Sequence, residues 1–158
     1  MHGHLEKSIN NQYKKHDLQR PFIVAIDGLG GAGKTTLVQQ LKNIGKHVVI
    51  IHMDEHIVEK KRRYHTGHEE WFEYFQLQWD VPYLKEQLFE KLHQNESQLR
   101  LPFYNKKVDS LEEKRIDIPP KSIVLTEGVF LLRDEWKAFY DFIIFLDCPK
   151  KVRCKRVL

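Results

Sequence analysis

Cysteine and long hydrophobic runs are both scarce in this sequence of 158 residues. Its two cysteines, Cys148 and Cys154, have a spacing that matches neither a metal site nor a thioredoxin-like motif, so we expect reduced thiols. No apolar run reaches the roughly 18 residues that a membrane-spanning helix needs. The first ten residues also lack the hydrophobic segment of a secretory signal. These absences favour a cytoplasmic protein with no membrane partner.

A strong excess of one charge is missing as well. The sequence has 26 Lys and Arg residues against 22 Asp and Glu, for a formal net charge of +4. A balance this mild suits an anionic ligand without requiring nucleic acid. The basic run Glu59–His65 is therefore interpreted as a solvated face, and RNA binding through Lys60–Arg63 is kept as an alternative.

The length predicts one domain, placed at residues 21–158, behind an N-terminal arm of residues 1–20 that is expected to be a loosely held helix or an irregular segment. Four short apolar runs rich in β-branched residues are bounded by polar or turn residues. Their lack of alternation predicts strands buried on both faces of a parallel sheet. The four runs are Phe22–Asp27, His47–Asp54, Ser122–Gly128 and Asp141–Cys148.

The intervening segments can supply the helices that a parallel sheet requires. Thr36–Ile44 has helical apolar spacing, and Asp80 can cap a helix whose apolar positions are Val81, Leu84, Leu88 and Leu92. A final helix is predicted after Pro149. The segment Leu99–Pro120 is either a β-hairpin over the ligand edge of the sheet, with strands at 101–104 and 115–118, or a surface loop.

A complete G-x-x-x-x-G-K-T motif lies between the first predicted strand and the following helix. Its backbone N–H groups and the helix N-terminus can bind phosphate oxygens. Lys34 can neutralise a transferring phosphoryl group, and the Thr35 hydroxyl can bind Mg²⁺. The predicted nucleotide-binding residues are Gly28, Gly30, Gly31, Ala32, Gly33, Lys34, Thr35 and Thr36.

Two carboxylates follow predicted strands at the same edge of the sheet. Asp54 can accept a proton from a substrate hydroxyl or hold the metal, and the alternative is a solvated residue at a strand end. Glu127 can complete the metal site with Thr35, and the alternative is a structural acid. His52 and His56 do not fit the H-E-x-x-H zinc motif.

Two further groups of residues extend this site. Arg153 and Arg156 are spaced to share a helix face that could close over phosphates, with a solvated basic face as the alternative. An aromatic cluster before Asp80 is expected to pack in the core, although some of its rings could flank a flat substrate. Its members are Trp71, Phe72, Tyr74, Phe75 and Trp79.

These residues together resemble the uridine kinase and phosphoribulokinase family of P-loop kinases, from about Pro21 to Leu158. The resemblance implies a three-layer α/β/α fold, with a parallel sheet and a small β-hairpin inserted over the substrate site. It implies transfer of the ATP γ-phosphoryl group, with Mg²⁺, to a hydroxyl of a nucleoside such as uridine or cytidine. It also suggests self-association.

The resemblance assigns roles to matching positions. Asp54 corresponds to the catalytic base, which also contacts the metal, and Thr35 and Glu127 correspond to metal-binding positions. Trp79 and Asp80 resemble a pair whose carboxylate holds the ribose hydroxyls. The remaining matches are Tyr104, to a tyrosine that contacts the base, and Arg153 and Arg156, to lid arginines.

Departures from the family pattern concern the acceptor. The family's "DSFY" is "DEHI" here, Asp109 replaces a pyrimidine-reading histidine, and Lys106 replaces an aromatic residue. A kinase for another small alcohol, such as pantothenate or a sugar, and a nucleotide-binding regulatory module therefore stay open. The family continues beyond the lid, and we expect the natural chain to extend past Leu158.

Overall fold

The computed structural model describes residues 2–29 and 33–146. Several residues singled out in the sequence lie outside the described residues. They are Gly30, Gly31 and Ala32 of the glycine-rich motif, both cysteines, the final helix, and Arg153 and Arg156.

Helices and strands alternate at the start of the chain, and a run of short helices then precedes the last four strands. In order they are α1 (His2–His16), β1 (Phe22–Asp27), α2 (Lys34–Leu41), β2 (Val48–His52), α3 (Lys60–Arg63), α4 (Glu70–Gln76), α5 (Val81–Leu84), α6 (Lys91–His93), β3 (Gln98–Asn105), β4 (Ser110–Asp117), β5 (Ile123–Gly128) and β6 (Phe142–Phe145). Short 3₁₀ helices cover Met53–His56 and Lys137–Phe139, and a π-helical stretch, Lys85–Glu90, joins α5 to α6.

The four predicted strands form one parallel sheet in the order β2-β5-β1-β6. Consecutive residues of β1 face opposite sides: Ile23 packs with the helical segment 81–93, while Phe22 and Val24 pack with α1 and α2. Both faces are covered, so the strands carry no polar alternation. The predicted P-loop type α/β fold, with helices on each side of a parallel sheet, is confirmed.

The helix after Asp80 forms as the sequence predicts. The Asp80 carboxylate accepts a hydrogen bond from the Tyr83 N–H at 3.2 Å, and the four predicted apolar positions are all buried. Helix α2 begins at Lys34 rather than Thr36 and ends at Leu41 rather than Ile44. The earlier start follows from Gly33, which precedes the helix in a left-handed conformation.

The N-terminal segment is helical, one of the two expected forms, but it packs more closely than expected. Residues His2–His16 form a helix whose Ile9 is completely buried against β1 and α2. The Tyr13 hydroxyl also donates a hydrogen bond to the Lys121 carbonyl at 2.6 Å. The sparse apolar positions of this helix suffice because they lie on its sheet-facing side.

The segment Leu99–Pro120 contains a β-hairpin, the first of the two alternatives. β3 and β4 pair antiparallel from Gln98 and Asp117 to Asn105 and Ser110, beyond the predicted strand limits. The buried His56 ring is within 2.7 Å of the Pro102 carbonyl oxygen, which ties the hairpin to the 3₁₀ helix after β2. Burial lowers the pKa of His56, as expected for a structural histidine.

The β1 and β6 ends are joined by a partly buried ion pair that permits a stability prediction. Asp141 accepts two hydrogen bonds from the Arg20 guanidinium, both at 2.8 Å, and a third from the Ile23 N–H. Asp141→Ala is expected to lower the free energy of unfolding by about 2 kcal/mol, because charge-assisted bonds are lost and Arg20 is left unpaired. Urea denaturation measures this change. Asp134→Ala, at an exposed residue, is the control and should stay within about 0.5 kcal/mol of wild type; equal effects would contradict the prediction.

Within the described ranges, none of the helices has the length and apolar character to cross a membrane.

Candidate active site

The start of the glycine-rich motif is held by Asp27, which sequence analysis did not single out. This residue is 5% exposed, and its carboxylate accepts hydrogen bonds from the Gly28 N–H at 2.7 Å and the Leu131 N–H at 3.2 Å. The acid therefore fixes the end of β1 to the loop after β5. The sequence signal that could have identified Asp27 is its position at the end of a buried strand, because a buried carboxylate needs hydrogen-bond donors from the backbone.

The end of the motif requires glycine. Gly33 has φ 95° and ψ 18°, a left-handed conformation that side chains disfavour, and its carbonyl accepts the first hydrogen bond of α2 from Leu37. Thr35 and Thr36 follow in the first helical turn with exposed side chains. Helix α2 thus presents its N-terminal N–H groups and the Thr35 hydroxyl at the carboxyl edge of the sheet.

The Lys34 side chain folds back over the motif. Its ammonium donates hydrogen bonds to the carbonyl oxygens of Gly28 at 2.5 Å and Leu29 at 3.1 Å. Burial lowers the pKa of Lys34, while Glu127, Asp27 and Asp54 oppose that shift through their negative charge. A cation held this way is available for phosphate oxygens at low desolvation cost.

Asp54 and Glu127 come from neighbouring parallel strands. Asp54 lies in the 3₁₀ helix after β2, and Glu127 lies near the end of β5, opposite His52 in the strand register. A Cβ at Gly128 would stand 3.0 Å from the Met53 Cβ, so only glycine permits this close approach. The tight packing brings the two carboxylates to one edge of the sheet.

Glu127 is a buried acid without full compensation. It is 6% exposed, and no hydrogen bond within the described residues reaches its Oε2. The nearest ring nitrogen, His52 Nδ1, lies 3.6 Å away, which is too far for a hydrogen bond. Burial, together with the charge of Asp54, raises the pKa of Glu127. A carboxylate oxygen left free in such a place is suited to a cation.

These residues fit the Mg²⁺ that the motif implies. Hard oxygen ligands are what Mg²⁺ prefers, and it commonly takes one or two carboxylates or hydroxyls while phosphates supply others. Thr35 Oγ1 and the free Glu127 oxygen are ligands of this kind. No group of three His, Cys, Asp or Glu side chains in residues 2–29 and 33–146 is arranged to hold a metal by itself.

A cavity of about 790 Å³ opens beside Asp54. Asp54 and Trp79 both line it, together with side chains from α4 and the preceding loop. The Trp79 indole N–H donates to the Met53 carbonyl at 2.8 Å, which fixes the ring next to the 3₁₀ helix that carries Asp54. Of the other aromatic residues, Tyr74 also lines the cavity, while Phe75 packs against Phe130.

Asp80 and Tyr104 are not among the residues that line this cavity. Besides capping α5, Asp80 pairs with Arg62 at 3.2 Å. The Tyr104 hydroxyl donates to Asp109 at 2.7 Å, and Asp109 also accepts from the Lys60 N–H at 3.0 Å. Their roles in acceptor binding stay predictions. Because their polar atoms are bound within the chain, a ligand would have to compete for them.

Arg133 is a second buried residue that the sequence did not reveal. Its guanidinium lies 4.7 Å from the ring centres of both Phe75 and Trp136, and its Nη2 donates to the Phe75 carbonyl at 2.8 Å. It also lines a second cleft, of about 560 Å³, next to Gly28. Arg133 thereby fastens α4, which walls the cavity beside Asp54, to the loop after β5. No local sequence signal marks such a contact.

Comparison with known proteins identifies relatives of this chain. The model of the phosphoribulokinase/uridine kinase family matches residues 23–158. The curated uridine kinase of Lactobacillus helveticus is 26% identical over 152 residues, with 89% of this chain and 68% of the relative covered. That of Halalkalibacterium halodurans is 27% identical over 145 residues, covering 87% and 66%. The chain thus spans about two thirds of the length of these curated relatives.

Solved structures that are similar to this chain are also described as kinases. One described as a possible uridine kinase from Bacillus stearothermophilus is 41% identical, with a TM-score of 0.78, and the match covers 97% of this chain and 86% of that one. A fructose transport system kinase structure from Silicibacter has a TM-score of 0.76 but only 18% identity, over 99% and 79% of the two chains. The second match supports the fold alone.

Proposed function

The chain belongs to the phosphoribulokinase/uridine kinase family, and from this membership we propose that it transfers the γ-phosphoryl group of ATP to a hydroxyl of a small molecule. Nucleosides such as uridine and cytidine are the leading acceptor candidates, because the curated relatives are uridine kinases. The observation that carries the proposal is the meeting of Lys34, Asp54 and Glu127 at one edge of the sheet, beside a cavity large enough for a small acceptor.

The mechanism assigns one task to each residue of this edge. The N–H groups at the start of α2 bind the phosphates, and Lys34 exchanges its bonds to the Gly28 and Leu29 carbonyls for phosphate oxygens. Thr35 and Glu127 would hold Mg²⁺, which offsets the negative charge of the transferring group. These residues contribute to catalysis by positioning the phosphates and by stabilising the charge of the transferring group.

Asp54 acts on the acceptor. A hydroxyl bound in the cavity donates its proton to the Asp54 carboxylate or is oriented by it for in-line attack on the phosphorus. Trp79 shapes the wall beside the reacting hydroxyl.

The test is Mg²⁺-dependent release of ADP from ATP, measured with and without candidate acceptors. The panel contains nucleosides, pantothenate and sugar alcohols. Stimulation by uridine or cytidine would support the nucleoside acceptor. Stimulation only by another alcohol would keep the kinase and replace the acceptor, whereas ATP binding without stimulation by any compound would favour a regulatory nucleotide-binding module.

One observation favours an acceptor other than a pyrimidine nucleoside. The Tyr104 hydroxyl is bound to Asp109, and the Arg63 guanidinium lies 4.9 Å from the centre of the Tyr104 ring. A pyrimidine that used this ring and Asp109 would have to displace these internal contacts. Uncharged sugar-like alcohols that occupy the cavity beside Asp54 need no such displacement.

Glu127→Gln is expected to raise the stability of the protein and to weaken metal binding. The pKa of Glu127 is higher in the folded protein than in the unfolded chain. As the pH rises from the unfolded-state pKa to the folded-state pKa, ionisation of Glu127 therefore lowers the free energy of unfolding, and the full loss is present above the folded-state pKa. At neutral pH the variant without nucleotide should therefore melt at a higher temperature, while Mg²⁺·ATP affinity falls by about tenfold or more. Thermal melts and titration calorimetry measure both effects. A variant that melts lower and binds Mg²⁺·ATP normally would remove Glu127 from the metal site.

A further inference from the structure

The wall of the cavity beside Asp54 has an unusual charge character. Its polar lining comes mainly from residues 64–79 and includes His65, Glu73 and Gln78. Among the residues that the structure describes there, no lysine or arginine lines the cavity, whereas three carboxylates do: Asp54, Glu70 and Glu73. An acceptor that carries a negative charge would meet no lysine or arginine on these walls, and among the described lining residues the basic groups are the imidazoles of His65 and His68.

Helix α4 buries an acid and exposes aromatic rings. Glu73 is 8% exposed, while Trp71 and Tyr74 on the same helix are 63% and 48% exposed. Glutamate is almost never buried without partners, and large aromatic residues are usually the ones covered. On this helix, therefore, the carboxylate of Glu73 is held within the protein while neighbouring aromatic rings reach the surface.

Part of the carboxylate has a structural task. Oε2 of Glu73 accepts hydrogen bonds from the Thr66 N–H at 3.0 Å and from the Thr66 hydroxyl at 2.9 Å. These bonds lower the pKa of Glu73, so the group is ionised at neutral pH. In the described part of the chain, no hydrogen bond is found at Oε1. The bonds to Thr66 therefore account for Oε2. Oε1 remains available to a ligand in the cavity that Glu73 lines.

We propose that Glu73 is a specificity-determining residue of the acceptor site. Its free oxygen accepts a hydrogen bond from a second hydroxyl of an uncharged polyhydroxy acceptor, and its charge excludes acceptors that carry a carboxylate or phosphate. Asp54 receives the reacting hydroxyl, so the two acids hold different hydroxyls of one molecule. This inference rests on the proposed phosphoryl transfer.

The charges beside the cavity favour an uncharged acceptor. Thr66 holds Glu73 in place, so binding of a hydroxyl costs little further ordering of the side chain. An anionic group placed near Asp54 and Glu73 would be repelled by the two carboxylates. The family's name covers both a phosphorylated and an uncharged acceptor, and the Glu73 position favours the uncharged kind.

The test uses matched probes that differ in charge: uridine and orotidine, ribitol and ribonate, glycerol and glycerate. Binding to the full chain is followed by saturation-transfer NMR, which needs no turnover, and ADP release is measured alongside. For at least one pair, wild type should bind the neutral member at least about tenfold more tightly. Glu73→Gln should reduce this preference by a similar factor, because it keeps the size and removes the charge.

Two further variants separate charge from structure. Thr66→Val removes one bond to the carboxylate but keeps its charge, so the preference for neutral probes should persist even if the melting temperature falls. Glu86→Gln, at an exposed residue of the segment between α5 and α6, should leave both binding and preference unchanged. A preference lost equally in Thr66→Val and Glu73→Gln would assign Glu73 a structural role and overturn the proposal.

The remaining outcomes distinguish this inference from the proposed function. Tighter binding of the charged members, binding by none of the neutral probes, or an unchanged preference in Glu73→Gln would each overturn the role of Glu73. ADP release stimulated only by a charged acceptor would support the kinase and overturn the specificity. Selective binding of neutral probes without ADP release would support the specificity and contradict the phosphoryl transfer.

Discussion

Replacing Asp54 with asparagine is expected to reduce phosphoryl transfer by about 10³-fold, the range typical of a general base. Asparagine keeps the size and the hydrogen-bonding oxygen of the side chain but cannot accept the proton of the acceptor hydroxyl. ATP affinity should change little, because the groups proposed to bind the phosphates are Lys34 and the N–H groups at the start of α2, which follow β1 rather than β2. The measurement is kcat for ADP release together with calorimetric binding of ATP.

The neighbouring residue provides a matched control for this prediction. Glu55 has the same charge and lies in the same 3₁₀ helix, but its carboxylate faces Lys114, 3.9 Å away on the hairpin. Glu55→Gln should therefore retain kcat within about twofold, as expected for a surface ion pair. Unchanged turnover in Asp54→Asn would remove Asp54 from the mechanism, and an equal loss in both variants would indicate a general effect of charge.

Replacing Lys34 with methionine is expected to lower kcat by about 10²- to 10³-fold, similar to the loss of one strong charge-stabilising donor. The methionine chain fills the space of the lysine stem but cannot offset charge on the transferring phosphoryl group. Burial lowers the pKa of Lys34, so the ammonium is held at a cost to folding that its loss removes. The variant should thus lose activity without losing stability.

Thermal melting and ADP release together test this second prediction. Lys42→Met is the control, since Lys42 follows α2 with an exposed side chain and should be dispensable for both properties. A folded Lys34→Met protein with normal kcat would contradict the assigned role. A lower melting temperature in Lys34→Met would show that its bonds to the Gly28 and Leu29 carbonyls stabilise the fold and would contradict the expected stability.

The strands of the sheet and the polar residues at its carboxyl edge could be predicted from sequence because their signals are local. A strand buried on both faces must be continuously apolar, as in β1, and a chain that turns to meet phosphate must carry glycine at Gly33. The Asp80 cap could likewise be predicted from a short segment, whereas the sequence left a hairpin and a surface loop as alternatives for Leu99–Pro120. The N-terminal helix was underestimated because its burial depends on Ile9 meeting a distant sheet face.

The contents of the acceptor cavity could not be predicted in the same way. The family resemblance pointed to Asp80 and Tyr104, which the folded chain engages with Arg62 and Asp109. Nothing in the sequence marked Glu73 as buried, because a glutamate among the charged and aromatic residues of a helix is expected to be exposed. Its burial follows from the bonds to Thr66, seven positions earlier, and from the packing of α4 near Arg133.

The sequence by itself thus determined the strands, the phosphate-binding motif and the two acids that end strands, because each follows from the backbone conformation of a few consecutive residues. Only the tertiary structure decided which polar side chains share a cavity with Asp54 and which are bound to one another. Such choices depend on how loops from distant parts of the chain pack, and hydrogen bonds between them form only once the apolar core has fixed their positions.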